Sequence, residues 1–397
     1  MRSPTKKIED FCRTGSGGTP SRSKSEYFEA GTIPWVKSGE LKARFVTNTE
    51  EAITDAAVKN SSVKLVPRGS LLIAMYGATV GEVSELAMDA ATNQAICHIV
   101  PDPNVCDRGY LFQYLSSIKS ELLDKRVGGG QPNISQAIIK SLEVPLPALS
   151  EQRRIAAILD KADALRAKRR EAIAKLDQLL QSVFLEMFGD PVTNPKGWPQ
   201  VRFSELLESI DSGTSPVCLD RSAGDNEWAV LKLSAVTRCE YDPSANKALP
   251  EGVEPDKSLE VKVGDLLFTR KNTRDLVAAC AFVTDTPPRL LLPDLIFRFR
   301  LKPLAPVVPR YLQALLAFPG KRKDIQSLAG GSAGSMPNIS KAKLSNALIE
   351  LPPTDLQCEF DRRLKHCDLL REQQRLALAK LDKTFFSLQQ QAFAGQL

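Results

Sequence analysis

EQRRIAAILDKADALRAKRREAIAKLDQLLQSVFLEMF, residues 151–188, carries the periodicity that decides the architecture of this chain. Ile155, Ile158, Ala162, Leu165, Ala172, Leu176, Leu179 and Val183 recur at steps of three, four or seven, the seam of an amphipathic or coiled-coil helix. Between them run Lys161, Arg166, Lys168, Arg169, Arg170, Glu171 and Lys175, which belong on the wet faces. No Gly or Pro interrupts the run before Gly189 and Pro191, which stop it. At about 1.5 Å per residue, ~38 residues predict a rod of roughly 57 Å.

A second copy closes the chain. Sliding the sequence along itself by 205 positions lays Asn133, Ile134 and Ser135 on Asn338, Ile339 and Ser340, and Ala174, Lys175, Leu176 and Asp177 on Ala379, Lys380, Leu381 and Asp382. Gln152, Leu159, Asp163, Leu165, Arg166 and Phe188 fall on Gln357, Leu364, Asp368, Leu370, Arg371 and Phe393. Without a gap, 20 of the 60 positions from Gln131 to Asp190 are identical, where composition alone gives about one in fifteen. Two unrelated helices sharing a Leu/Ala/Lys bias would not also match in the loop before each helix. The chain is an internal duplication.

The 397 residues suffice for two or three domains, and 43% hydrophobic with 25% charged residues is ordinary soluble composition. No membrane span or signal peptide is read at the start, where Met1 to Lys7 has no apolar core behind its charges, so the cytoplasm is expected. Eight cysteines without a C-x-x-C pair suggest buried free thiols rather than zinc or disulfides. The net charge is +6, with Lys plus Arg against Asp plus Glu at 25 to 23 through Asn194 and 28 to 24 beyond. So small an excess implies that, if DNA is bound, a partner supplies part of the affinity.

Residues 1 to about 147 read as a mixed domain with short strands at Ile33–Lys37, Gly69–Ala74 and Ala95–Val100, a helix over Tyr110–Leu123, and a loop opened by Gly128, Gly129 and Gly130. That glycine run is either a hinge or a backbone cradle for phosphate. The second half repeats this order at a drifting offset. Gly18 and Thr19 fall on Gly213 and Thr214, Lys37 on Lys232, and Gly69, Leu71 and Leu72 on Gly264, Leu266 and Leu267. Where the first copy has Tyr76-Gly-Ala-Thr-Val-Gly81, the second has Arg270-Lys-Asn-Thr-Arg274. Like scaffolds with unlike polar loops suggest two readers on one ruler. Arg270, Lys271, Asn272 and Arg274 offer groups that contact base edges and phosphates, the alternative being a solvated turn. For Lys37 and Lys232 a structural or solvent-facing role comes first and contact second.

Catalytic constellations are absent from the pattern. There is no phosphate loop and no Asn-Pro-Pro-aromatic tetrapeptide, and His98 and His366 are too few for His-based triads or metal sites. Pro255, Asp256, Glu260 and Lys262 imitate a nuclease signature at too short a separation, with no counterpart in the first half.

Taken in order, Ser16-Gly-Gly-Thr-Pro20, Ile33-Pro-Trp-Val-Lys37, Pro67-Arg-Gly-Ser-Leu-Leu72, Asn93-Gln-Ala-Ile96, Gly130-Gln-Pro-Asn-Ile-Ser135, Pro145-Leu-Pro147 and Glu151-Gln152 resemble the DNA specificity subunit of type I restriction-modification systems. The join Met187-Phe-Gly-Asp-Pro191 with Asn194-Pro-Lys-Gly-Trp198 does so too, and the resemblance covers essentially the whole chain. The second half departs from it: Ser212-Gly-Thr-Ser-Pro216 is shifted, Asn93-Gln94 becomes Pro293-Asp294, and no Trp aligns with Trp35 without a shift.

The resemblance implies an α+β fold of two pseudo-symmetric target-recognition domains, 1–147 and 195–353, joined by two long antiparallel helices within 148–190 and 354–397. It implies a non-catalytic subunit that reads a split site in double-stranded DNA and docks two DNA methyltransferase subunits and the restriction or translocase subunits. S-adenosylmethionine and ATP would sit on those partners. Lys37, Ser38, Tyr76, Thr79, Gln131, Asn133, Lys232, Arg270, Lys271, Asn272, Arg274 and Asn338 are the expected DNA contacts. Arg166, Lys168, Arg169, Arg170, Arg371 and Arg375 are the expected partner contacts. A self-sufficient DNA endonuclease or methyltransferase is the alternative, and a protein scaffold without DNA a third.

Overall fold

The computed structural model describes residues 4–124, 133–330 and 336–397. Two compact units emerge, one of Met1–Glu171 with Arg375–Leu397, the other Ala172–Gln374. Each therefore contains one mixed domain and a share of both long helices, Leu149–Phe188 and Thr354–Phe393.

In the first unit a five-stranded sheet runs in the order Cys12–Ser16, Ile96–Pro101, Leu71–Ala74, Val83–Leu86 and Phe45–Val46. A second sheet has the order Glu51–Ile53, Ile33–Val36, Ala90–Thr92 and Leu65–Val66, and Thr5–Lys7 pairs with Glu143–Pro145. The strand Leu71–Ala74 is buried on both faces, which is why it reads as an unbroken apolar run. Its period of two sends Leu71 and Ile73 into the core shared with the long helices, and Leu72 and Ala74 into a core shared with Val36 and Ile96.

The second unit repeats this topology with shorter sheets. Leu207–Ser212, Ile296–Leu301, Leu266–Thr269 and Cys280–Phe282 form one, Asn246–Ala248, Ala229–Leu231 and Leu290–Leu291 the next, and Gln200–Arg202 pairs with Leu348–Glu350. Leu266 and Phe268 again face the helix-side core while Leu267 faces the other. Strand register fixes the residue equivalences: Ser16 opposes Cys97 as Ser212 opposes Phe297. Gly17 is thus the counterpart of Gly213, one residue away from the expected match of Gly18 to Gly213. A β-carbon on Gly17 would lie 2.0 Å from the Thr92 carbonyl oxygen, and one on Gly213 1.7 Å from that of Leu292, so both positions require glycine for the same close approach. Val230 stands where the first unit has Trp35, both parallel to the strand that precedes the last long one.

The expected helix over Tyr110–Leu123 is instead Arg108–Ser117 followed by Lys119–Asp124. The Asp107 carboxylate caps the first by accepting from the Tyr110 N–H at 3.0 Å, and at Ile118 the backbone leaves helical geometry with ψ of 12°.

The long helices run antiparallel within each unit, but on a seam different from the expected one. In the first unit Ile155, Leu159 and Ala162 pack with Phe385, Leu388 and Ala392; in the second Leu180, Val183, Phe184 and Met187 pack with Phe360 and Leu364. Leu165 and Leu179, expected in the seam, are 46% and 48% exposed. The seam position after Ala162 belongs to Arg166, whose guanidinium lies 4.2 Å from the Phe385 ring centre and bonds Asp163 at 2.7 Å and Asp382 at 2.6 Å. Arg371 repeats this with Asp177 at 2.9 Å and Asp368 at 3.7 Å. Arg166 and Arg371, expected on the wet faces of the helices, instead turn to the seam and form ion pairs within the chain.

The same reciprocity accounts for the other identities. Gln152, buried, donates to the carbonyls of Val105 and Pro147 and accepts from the Asp107 N–H at 2.8 Å. Gln357 does so with Pro306, Pro352 and the Val308 N–H, also at 2.8 Å. Phe393 packs edge-on against Tyr110 at 5.5 Å, and Phe188 against Tyr311 at 4.8 Å.

Candidate nucleic-acid interface

In both units the loop that follows the doubly buried strand is stapled to the segment leading into the helix-side domain edge. The Ile134 N–H donates to the Met75 carbonyl at 2.7 Å, and the Ile339 N–H to the Arg270 carbonyl at 2.8 Å. Tyr76 bridges Asn133 as Lys271 bridges Asn338. A third strand lead-in joins the same place: the Met75 N–H donates to the Ala95 carbonyl at 2.8 Å, and the Arg270 N–H to the Leu295 carbonyl at 3.1 Å. Three backbone segments thus converge identically in the two units, and what differs is the side chains they present.

In the first unit these are neutral. Burial raises the pKa of Tyr76. The Gln94 carboxamide oxygen accepts from the Thr19 hydroxyl. Thr79 donates its hydroxyl to the Ser38 carbonyl at 2.8 Å, tying this loop to the turn after Ile33–Val36, and Asn133 is exposed. Gln131, with the glycine run before it, lies outside the described residues. Lys37 stands apart from the cluster in its bonding, since its ammonium donates to Glu50 at 2.7 Å and Glu51 at 3.0 Å. Arg22 joins the same Glu51 at 2.6 Å, and hydrogen bonds from Arg22 and then Lys37 pull the Glu51 carboxyl down to about 2.

In the second unit the same junction is charged. Arg270 donates from Nε to the Asn338 side-chain oxygen at 3.1 Å and stacks 5.0 Å from the Phe297 ring centre. Asn272 is only 6% exposed and its side-chain oxygen accepts from the Thr273 N–H at 2.8 Å, so it shapes the loop from inside. Lys271 is half-buried beside Asn338, Arg274 is exposed, and Lys232 is half-buried at the end of Ala229–Leu231. Sequence reasoning missed Gln94 and Asp294, which occupy equivalent places; Asp294 accepts from the Ser215 hydroxyl as Gln94 does from that of Thr19. The unlike pair Asn93-Gln94 and Pro293-Asp294 was the signal that could have found them.

Residues with nuclease-like spacing do other work. Asp256 caps its own turn by accepting from the Ser258 N–H at 3.0 Å, and Glu260 accepts from the Arg289 N–H at 2.8 Å, so backbone N–H groups engage both carboxylates. Among the described residues no cluster of His, Cys, Asp and Glu could hold a metal ion, and no helix is long and apolar enough to cross a membrane. On the helices, Lys168, Arg169, Arg170 and Arg375 are exposed, Arg170 bonding Asp382 at 3.3 Å.

Residues 3–175 match the family described as Type I restriction modification DNA specificity domain. Over these residues the chain is similar to that family. Its likeness to specificity subunits runs further. The EcoR124I/EcoR124II specificity subunit of Escherichia coli is 32% identical over 173 residues, 42% of this chain and 43% of that protein. The EcoKI specificity subunit of Escherichia coli K12 is 22% identical across 94% of this chain and 84% of its own, and the MjaVIII specificity subunit of Methanocaldococcus jannaschii 23% across 95% and 88%. The chain spans about half or less of the length of the more similar curated relatives, as with EcoR124I/EcoR124II. A crystal structure of the type I restriction-modification S subunit from M. genitalium shares the fold with a TM-score of 0.59 at 12% identity, covering 98% of this chain and 96% of that one. A second structure, described under complex assembly and conformational transition of the type I R-M system, reaches 0.55 at 18% identity, covering 100% and 98%. The mixed domain within the matched residues 3–175 has its topology repeated beyond them, in the second unit.

Proposed function

We propose that this chain is the non-catalytic, sequence-reading subunit of a type I restriction-modification complex. Each unit reads one half of a split site in double-stranded DNA through the convergent loops at residues 75–81 with Asn133, and at 270–276 with Asn338. The long helices present Lys168, Arg169, Arg170 and Arg375 to methyltransferase subunits, two of them, with restriction or translocase subunits completing the assembly in the cytoplasm. S-adenosylmethionine and ATP belong to those partners. The observation that supports this reading is the pairing of one backbone junction with two unlike sets of side chains, as expected of two readers of different sequence. The test is methylome sequencing of cells expressing the chain with its methyltransferase subunit, and of cells lacking one or the other. A bipartite methylated motif that requires both genes is expected. Methylation by this chain alone, or a motif unaffected by its loss, would replace the reading.

A further inference from the structure

The register equivalences allow the two reading junctions to be superposed residue by residue. Thr19 corresponds to Ser215 through the pairing of Ser16 and Ser212 with the last long strand, and Gln94 corresponds to Asp294 through the matched N–H bonds to Ala95 and Leu295. In each unit a short hydroxyl side chain donates to the side-chain oxygen of the residue at the second position, Thr19 to Gln94 and Ser215 to Asp294. Ser215 Oγ also accepts from the Asp294 N–H at 3.3 Å, so the hydroxyl that bonds the carboxylate is itself held by the same residue's backbone. Gln94 is exposed and Asp294 half-exposed, and the residue that follows each accepts through its carbonyl from the loop, at Met75 and Arg270. The device is the same and the head group is not.

A tether that only closed a turn would have no use for the difference between an amide and a carboxylate, because either oxygen accepts the hydroxyl. For reading a base edge the difference is decisive. Gln94 has two lone pairs and two N–H donors; with one oxygen site used by Thr19, N–H donors and an acceptor remain side by side. That pair complements the N7 and N6 amino group of adenine. Asp294 only accepts, and an acceptor complements the N4 amino group of cytosine. We infer that Gln94 and Asp294 are specificity-determining residues, Gln94 reading an adenine in one half-site and Asp294 a cytosine in the other. This rests on the proposed DNA-reading function.

The experiment is selection from a pool of random-sequence duplexes by the complex reconstituted with its methyltransferase subunits. Asp294→Asn keeps the oxygen that Ser215 bonds and adds an N–H pair. It is expected to move one base pair of one half-site from C·G toward A·T, with about a tenfold or greater loss on the original site. Gln94→Glu is expected to move one base pair of the other half-site from A·T toward C·G. Ser215→Ala, which removes the tether and leaves the carboxylate, serves as the control for a structural role and is expected to weaken binding without changing the preferred base. If Asp294→Asn and Gln94→Glu recover the unchanged motif, the inference is overturned while the reading function stands. If the unaltered complex selects no motif at all, the proposed function itself fails.

Discussion

Glu51 holds two cations at once, Arg22 and Lys37, and this makes a surface carboxylate sensitive to acid. Its pKa lies at about 2 against an ordinary 4.5, so its contribution to stability is full above 4.5 and is lost as pH falls from there toward 2. Glu51→Gln should lower the urea midpoint near neutral pH, and the gap to the unaltered protein should close over that acid interval; a gap independent of pH would mean that the pairing contributes nothing. In the second unit, Lys271→Ala with Arg274→Ala tests base contact without disturbing Asn272 or the Arg270 stack. Each lost base contact costs about 1 to 3 kcal/mol, so one half-site should relax in the methylome while the other is unchanged. Equal weakening of all sequences would mark phosphate contact instead. The loop chemistry of Arg270 to Arg274 was legible because unlike residues stood on a shared scaffold. Which of its side chains face outward was not, since Asn272 turns inward and Arg270 is held by Asn338, and no spacing rule encodes those bonds.

Helices show the same division. Their ends, length and duplication were readable from uninterrupted apolar periodicity and the 205-residue repeat. The seam was not, because Leu165 and Arg166 differ by one helical step of about 100° and only the facing helix decides which turns inward. Arg166 does, reaching Asp382 and the Phe385 ring. A double-mutant cycle of Arg166→Ala with Asp382→Ala should give a coupling of about 1 to 3 kcal/mol, below the full value for a buried pair because Asp382 is 42% exposed. Coupling indistinguishable from zero would return Arg166 to the outer face. Gln152→Leu leaves two carbonyls and the Asp107 N–H without their partner, so a loss of roughly 2 to 4 kcal/mol is expected in chemical denaturation. Gln357→Leu should match it, because the contacts are the same.

At the level of the molecule, the boundaries between compact units fall at Glu171/Ala172 and Gln374/Arg375, inside the two long helices. Four residues inserted at both points leave the contacts within each unit intact and add about one helical turn, ~6 Å, against roughly 3.4 Å per base pair. The unread gap of the methylated motif should lengthen by about one or two base pairs while both half-sites keep their sequence. An unchanged gap would show that the helices do not set the spacing. Two-domain order was evident in the sequence, and the equivalence of Trp35 with Val230 was not, because strand register is a property of pairing and not of residue type. The glutamine clamp has a further consequence. Gln152 and Gln357 grip only main-chain atoms, and the gripped residues differ, Asp107 in one unit and Val308 in the other. A socket that ignores side chains accepts any plug with the right backbone. On the proposed reading, a domain with other side chains but the same backbone at these positions would seat in the same socket without a change to the joint.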